Sequence, residues 1–269
     1  MNKKEKLFIE TVWDYYGHNG RRSLPWRMTK NAYRILVSEV MLQQTQVERV
    51  VPKYKEFLKQ FPTVDVLAES SLGDVLRAWQ GLGYNRRAKM LHECVKIIVR
   101  KFRSLTPKSH EDLMLLPGIG PYTAGAVLSF AYNIPIPMIE TNIRSVYLHH
   151  FFKGKENVTD KEIFPLIKRT LDHENPREWY YALMDYGAYL KKEFGNPNTK
   201  SKHHTKQTSF RGSNREVRGA IVRILIHSHL SLEDLRKTLK CTDEKIATQV
   251  QALEKEGIIK KRKTQYYIP

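Results

Sequence analysis

The chain has 269 residues, 41% of them apolar, enough for one large domain or two with a linker. Forty-six Lys and Arg against 28 Asp and Glu give a formal charge of +18 and a pI near 9.8. That surplus favours a polyanionic partner, nucleic acid above all, and argues against an acidic ligand-free scaffold. Two distant cysteines, Cys94 and Cys241, make neither a CxxC nor a metal cluster and fit a reducing compartment. No run is long and apolar enough to span a membrane, and the polar start around Glu10 does not resemble a signal peptide. A cytoplasmic, nucleoid-associated protein without membrane contact is expected.

Taken in chain order, most segments up to residue 195 carry helical spacing. Val47, Val50, Val51, Tyr54 and Phe57 recur on one face, as do Leu91, Val95 and Ile98, and later Ile163, Leu166, Ile167 and Leu171. Turn signals separate them at Phe61-Pro-Thr, Gly81-Leu-Gly83, Thr106-Pro and Pro117-Gly. Period-2 alternation is scarce, so the fold class is all-α.

Residues 196–213 turn polar and read as a basic linker. The pair His203-His204 has no thiol or carboxylate beside it in sequence and reads as solvated loop, not metal ligands. Periodicity returns in 214–269. Val217, Ile221 and Leu225 mark one helix, the capping box Ser231-Leu-Glu-Asp234 opens a second, and Asp243 caps a third. Gly257 ends that helix before two short strands with a basic turn. Three helices and a hairpin read as a winged helix-turn-helix-like domain, with DNA contact expected through the third helix and the wing. Residues 200–269 hold 16 Lys or Arg against 7 Asp or Glu, half of the whole surplus.

The segment Leu116-Pro-Gly-Ile-Gly-Pro-Tyr-Thr-Ala-Gly-Ala126 joins two helices through a Gly118-Ile-Gly120 turn. The second helix then starts with free N–H groups and a positive dipole end, suited to a phosphate. Glu140-Thr-Asn-Ile-Arg144 follows, placing a carboxylate and an amide close behind. Upstream stand Leu24-Pro-Trp-Arg27, Ser38-Glu-Val-Met-Leu-Gln-Gln-Thr-Gln-Val47 and Trp79-Gln-Gly-Leu-Gly-Tyr84. Together, over residues 8–190, these strings resemble the helix-hairpin-helix (HhH-GPD) DNA glycosylases, and within them the MutY-type adenine DNA glycosylases.

The resemblance implies a two-lobed helical fold over 1–195, with a six-helix lobe of about 30–135, a second lobe of 1–29 plus 136–195, and the DNA site between them. It implies base removal from double-stranded DNA carrying a mismatch or lesion, by a monomer. Glu39 matches the general acid that protonates the extruded base, a role that needs a carboxylic acid beside the purine. Glu140 matches a second carboxylate, usually aspartate, that supports the oxocarbenium-like sugar. Tyr122 and Asn142 match residues around the same sugar. Gln44 and Tyr84 match side chains that fill the hole left by a flipped nucleotide. Thr45, Leu82, Gly118, Gly120, Thr123 and Arg27 are the remaining DNA-binding candidates, and Tyr181 is the candidate for the base pocket.

Four departures bear on function. Lys191 stands where the family places the first of four cluster cysteines after Asp185-Tyr-Gly-Ala188, so no iron–sulfur cluster is expected. The Lys- and His-rich stretch 191–210 could cover the same DNA backbone. Tyr181, Asn85 and the absence of the family's 8-oxoguanine-reading domain all touch base choice. Adenine opposite G or 8-oxoguanine is the first expectation; thymine or uracil opposite G is the alternative, and a non-catalytic binder of distorted DNA is a third. Tyr122 replaces the Schiff-base lysine of bifunctional relatives, so weak or no lyase activity is expected. No cofactor is required, although a monovalent cation can sit near Gly118, as in relatives.

Overall fold

The computed structural model describes residues 1–205 and 209–269. Fourteen α-helices dominate its described residues. They are α1 (Lys3–Asn19), α2 (Ala32–Leu42), α3 (Val47–Gln60), α4 (Val64–Glu69), α5 (Leu72–Ala78), α6 (Asn85–Phe102) and α7 (His110–Met114). Then come α8 (Pro121–Tyr132), α9 (Thr141–Phe151), α10 (Asp160–Thr170), α11 (Pro176–Phe194) and a 3-10 turn at Pro197–Lys200. The chain ends with α12 (Asn214–Leu225), β1 (Leu230–Ser231), α13 (Leu232–Thr238), α14 (Asp243–Lys255), β2 (Lys260–Arg262) and β3 (Gln265–Tyr267). The all-helical expectation for the larger part holds.

Side-chain caps explain many of the helix starts. Asn2 and Glu5 form a capping box on α1, and Thr159 and Glu162 do so on α10. Ser or Thr side chains accept the third helical N–H of α4, α5 and α7, which lets helices of 5–7 residues form at all. Pro121 and Pro176 sit in the first turn of α8 and α11, where a missing N–H costs nothing.

The chain forms two compact units. The first comprises Met1–Leu36, Lys108–Leu115 and Ile119–Lys206. Its core stacks aromatic side chains from α1, α9 and α11: Phe8 lies 5.1 Å from Tyr147 and 6.1 Å from Trp179, ring centre to ring centre. Burial of such rings is its main source of stability. The segment after α11 is built into this unit. Asn198 is buried and donates to the Thr141 carbonyl (3.0 Å) and the Ser145 hydroxyl (2.5 Å), while Ser201 bridges to Val158. The first part of the expected linker is thus ordered structure. Its burial is carried by an amide, which composition alone reads as loop.

The second unit comprises Val37–Pro107, Leu116–Gly118 and Gln207–Pro269. These bounds differ from the expected lobes, since α8 groups with the first unit. Phe57, Phe61 and Trp79 centre one part of the core, with ring distances of 4.8 and 5.9 Å. Ile221, Leu235, Ile246, Val250 and Leu253 centre the C-terminal part. There α12 and α13 pack on α14, and β1, β3 and β2 form a small antiparallel sheet. The Ser231–Asp234 capping box is present. This C-terminal part rests on residues 37–107: Ile268 reaches the backbone at Gly73, Lys89 that at Gly257, and Arg215 donates to the Tyr84 hydroxyl at 2.8 Å.

Candidate active site and nucleic-acid interface

In the first unit, Glu140 is the N-cap of α9. Its Oε1 accepts the backbone N–H groups of Asn142 (2.7 Å) and Ile143 (2.9 Å). The longer side chain folds back onto its own helix start, which fixes the carboxylate. The Asn142 amide donates to the other Glu140 oxygen at 3.4 Å and accepts from Lys191 Nζ at 2.9 Å. Lys191, Asn142 and Glu140 therefore form a chain of hydrogen bonds. Burial lowers the Lys191 pKa below the ordinary lysine range, Glu140 opposes that shift, and Arg144 adds to it. Lys191 is turned inward to Asn142, not outward to a DNA backbone as its basic neighbourhood had implied.

Gly187 makes this arrangement possible. A Cβ there would stand 2.3 Å from the Asn142 carbonyl oxygen, so only glycine lets α11 pass so close to the start of α9. Tyr122 lies in the first turn of α8 and packs partly buried against the aromatic core. Gly120 is the N-cap of α8, and a Cβ there would meet nothing, which leaves its backbone open to approach. Thr123 is buried in the same turn and takes no surface position.

Two expectations in this unit need correction. Arg27 is not at a DNA-facing surface. Its side chain is 4% exposed and binds Asp185 through two nitrogens at 2.7 and 2.8 Å, with Arg21 adding a third donor side chain. Tyr181 does not line an open base pocket. It is 3% exposed, stacked on Phe130 at 4.6 Å, with the Arg27 guanidinium over its ring at 4.4 Å. The Leu-Pro-Trp-Arg string and the Asp-Tyr-Gly string thus meet as one buried ion pair. Burial pushes the Asp185 carboxyl up, but the hydrogen bonds and charge of Arg27, with help from Arg21, hold it below its usual range.

In the second unit, Glu39 lies on α2, 6% exposed. A carboxyl group this well shielded from water is what a general acid needs. Leu42 ends the helix, and Gln44 follows with φ 54°, a left-handed backbone uncommon for a side chain with a Cβ. Tyr84 has φ 50° just before α6, after Gly81 and Gly83, both also at positive φ. Strain at two loops that carry aligned family residues marks them as sites held by their surroundings.

The holder is Arg87, which the sequence did not single out. One of its nitrogens donates to the carbonyls of Val40, Met41 and Gln43; the other donates to the Thr45 hydroxyl and the Leu82 carbonyl. It thereby closes the end of α2 and ties the Gln44 turn to the Tyr84 turn. Burial pulls its pKa down to about 10, with the nearby Tyr84 opposing. Nothing in a chain of 46 basic residues distinguishes Arg87 except its place two residues into α6, after the Gly-Leu-Gly-Tyr turn. Gly118, with φ 76°, packs on Met90: an added Cβ would stand 2.8 Å from that side chain.

Among the described residues, no group of three or more His, Cys, Asp or Glu is placed to hold a metal. His203 and His204 are exposed, Cys94 is buried with its thiol pushed up to about 12, and Lys191 occupies the aligned cysteine position. Four cluster thiolates are not available in a chain of two cysteines. No helix among the described residues is long and apolar enough to cross a membrane.

Residues 37–171 match the HhH-GPD superfamily of base excision DNA repair proteins, half of the chain. The chain belongs to that family. Among similar proteins, the adenine DNA glycosylase of Buchnera aphidicola subsp. Baizongia pistaciae is 39% identical over 188 residues, 68% of this chain and 53% of its own length. That of Mycolicibacterium smegmatis is 47% identical over 176 residues, 65% of this chain and 60% of its own length. The chain spans little more than half the length of these HhH-GPD relatives. A thermostable thymine-DNA glycosylase has a similar structure, with a TM-score of 0.63 and 25% identity over 70% of this chain and 87% of that one.

Proposed function

We propose that this HhH-GPD protein is a monofunctional DNA glycosylase that hydrolyses the bond between a mismatched adenine and its deoxyribose, opposite G or 8-oxoguanine. The observation that carries it is the carboxylate pair: Glu39 is shielded on α2, and Glu140 is pinned at the start of α9. Glu39 gives a proton to the base as the N-glycosidic bond breaks. Glu140 and Asn142 support the positive sugar until water adds at C1′. Gln44, Leu82 and Tyr84 hold the opened duplex, and the Gly118–Gly120 turn with the start of α8 takes phosphates. A monovalent cation on the carbonyls near Gly118 belongs to the same reading. The substrate is duplex DNA, met by a monomer in the cytoplasm or nucleoid. Residues 214–269 serve as a winged-helix-like DNA-binding part.

Similarity to the thymine-DNA glycosylase supports a second reading, thymine or uracil removal opposite G by the same residues. Single-turnover assays on duplexes carrying A opposite 8-oxoguanine, A opposite G, and T or U opposite G separate the two. Alkali-dependent strand cleavage at A is expected. Cleavage confined to T or U would overturn the adenine assignment, and strand cleavage without alkali would overturn the absence of lyase activity.

Lys191 is a positioning residue for this chemistry. Lys191→Met removes the ammonium that orients Asn142, and displacement of a site group by about 1 Å can cost on the order of 100-fold. The fall is expected in the single-turnover rate, with duplex affinity little changed and partial recovery in Lys191→Arg. Equal losses in rate and affinity, unrecovered by arginine, would show a merely structural role.

A further inference from the structure

The second unit encloses a cavity of about 1030 Å³ whose walls come from opposite ends of the sequence. One wall is the face of Gln44, Leu82 and Tyr84; the other is α12, with Arg215, Arg218 and Arg223. The space is at the upper end of small-ligand sites, which run to about 1,000 Å³. Its chemistry is uneven in a telling way. Guanidinium groups line it throughout, with Arg49 and Arg86 added from the loop side. Two aromatic rings also line it, Tyr84 and Phe210, and Phe210 is 61% exposed. Cations beside open aromatic faces suit a phosphate joined to a flat base.

The third helix of the C-terminal part is a poor reader of DNA. Its ends carry Asp243, Glu244 and Glu254 against Lys245 and Lys255, and Ile246, Gln249, Val250 and Leu253 are buried. By contrast α12 carries three arginines against Glu216, and Arg215 both bonds the Tyr84 hydroxyl and lies 5.7 Å over its ring. Arg218 is held by Glu256 at 2.6 Å, which fixes the wall from behind.

We propose that this cavity is a second nucleotide site, taking the unpaired nucleotide left opposite the extruded one, and that α12 is the surface through which the C-terminal part reads DNA. The phosphate lies on Arg215 and Arg223, and the base stacks on Tyr84 and Phe210. This rests on the glycosylase reading for the presence of an extruded base, and it replaces the expectation of contact through the third helix.

The test compares the affinity of the full chain for two duplexes. Both carry a tetrahydrofuran abasic analogue in the target strand; one has guanine opposite, the other a second analogue with no base to bind. The wild type is expected to prefer the guanine duplex by about tenfold, the scale of one base stacked on an aromatic ring. Phe210→Ala and Arg215→Ala, each with unchanged thermal unfolding, are expected to bring the ratio close to one, while Lys245→Ala on α14 leaves it intact. No preference in the wild type, or a preference that survives both variants, overturns the proposal. Release of free base by the wild type is measured in parallel, so failure of the glycosylase reading shows as absent release whatever the affinity ratio.

Discussion

Glu39→Gln is expected to lower single-turnover base release by about 10²–10⁴-fold, the usual contribution of a positioned general acid. Glutamine matches the size of the carboxylic acid, so a site that is 6% exposed keeps its packing. What is lost is the proton. A purine leaves sugar poorly as an anion, and protonation in the transition state removes that barrier. Affinity for a duplex bearing an abasic analogue should change little, since no proton moves in that complex. Base release at wild-type rate by a folded Glu39→Gln protein would remove Glu39 from the chemistry. Loss of affinity in step with rate would make it a DNA-binding residue instead.

Arg27→Met is expected to cost about 3 kcal/mol of stability, at the lower end of the roughly 3–5 kcal/mol seen when one partner of a buried ion pair is removed. The Asp185 carboxylate would stay buried with only Arg21 beside it, and the Arg21 side chain is far more exposed than that of Arg27. Tyr181 would also lose the cation over its ring. The paired Asp185 contributes stability that is present above the ordinary aspartate pKa, about 3.9, and is lost as pH falls through its lower folded value. The difference between wild type and Arg27→Met in urea unfolding should therefore shrink on acidification below about pH 4. The double change Arg27→Met, Asp185→Leu should recover much of the loss, because no buried charge is then left alone. An Arg27→Met protein of unchanged stability but weakened duplex binding would restore Arg27 to the DNA surface.

Long amphipathic helices were plain in the sequence: the apolar stripes of α3, α6 and α10 appear where their spacing puts them. The short helices α4, α5 and α7 were not, since 5–7 residues hold too little periodicity and rely on Thr63, Ser71 and Ser109 for their starts. In the site, the family strings identify positions but not depth. Glu39 and Arg27 come from equally specific strings, and both are buried; the acid has a chemical reason to be, whereas the arginine turns out to serve Asp185. Arg87 and Lys191 escaped because their roles are made by distant partners: carbonyls of the Gln44 turn for one, Asn142 for the other. Gly187 is the clearest case. Its neighbours Asp185 and Tyr186 marked the string, yet its necessity appears only when α11 is seen against the Asn142 carbonyl.

The most direct measurement is of free base itself. A duplex with radiolabelled adenine opposite 8-oxoguanine is incubated with excess protein, and the released label is separated by chromatography before any alkali is added. Free adenine, with the strand intact until alkali treatment, is the expected result. Tight binding with no free base from this duplex, or from those with adenine, thymine or uracil opposite G, would contradict the assignment and leave a protein that recognises distorted DNA without cutting the glycosidic bond.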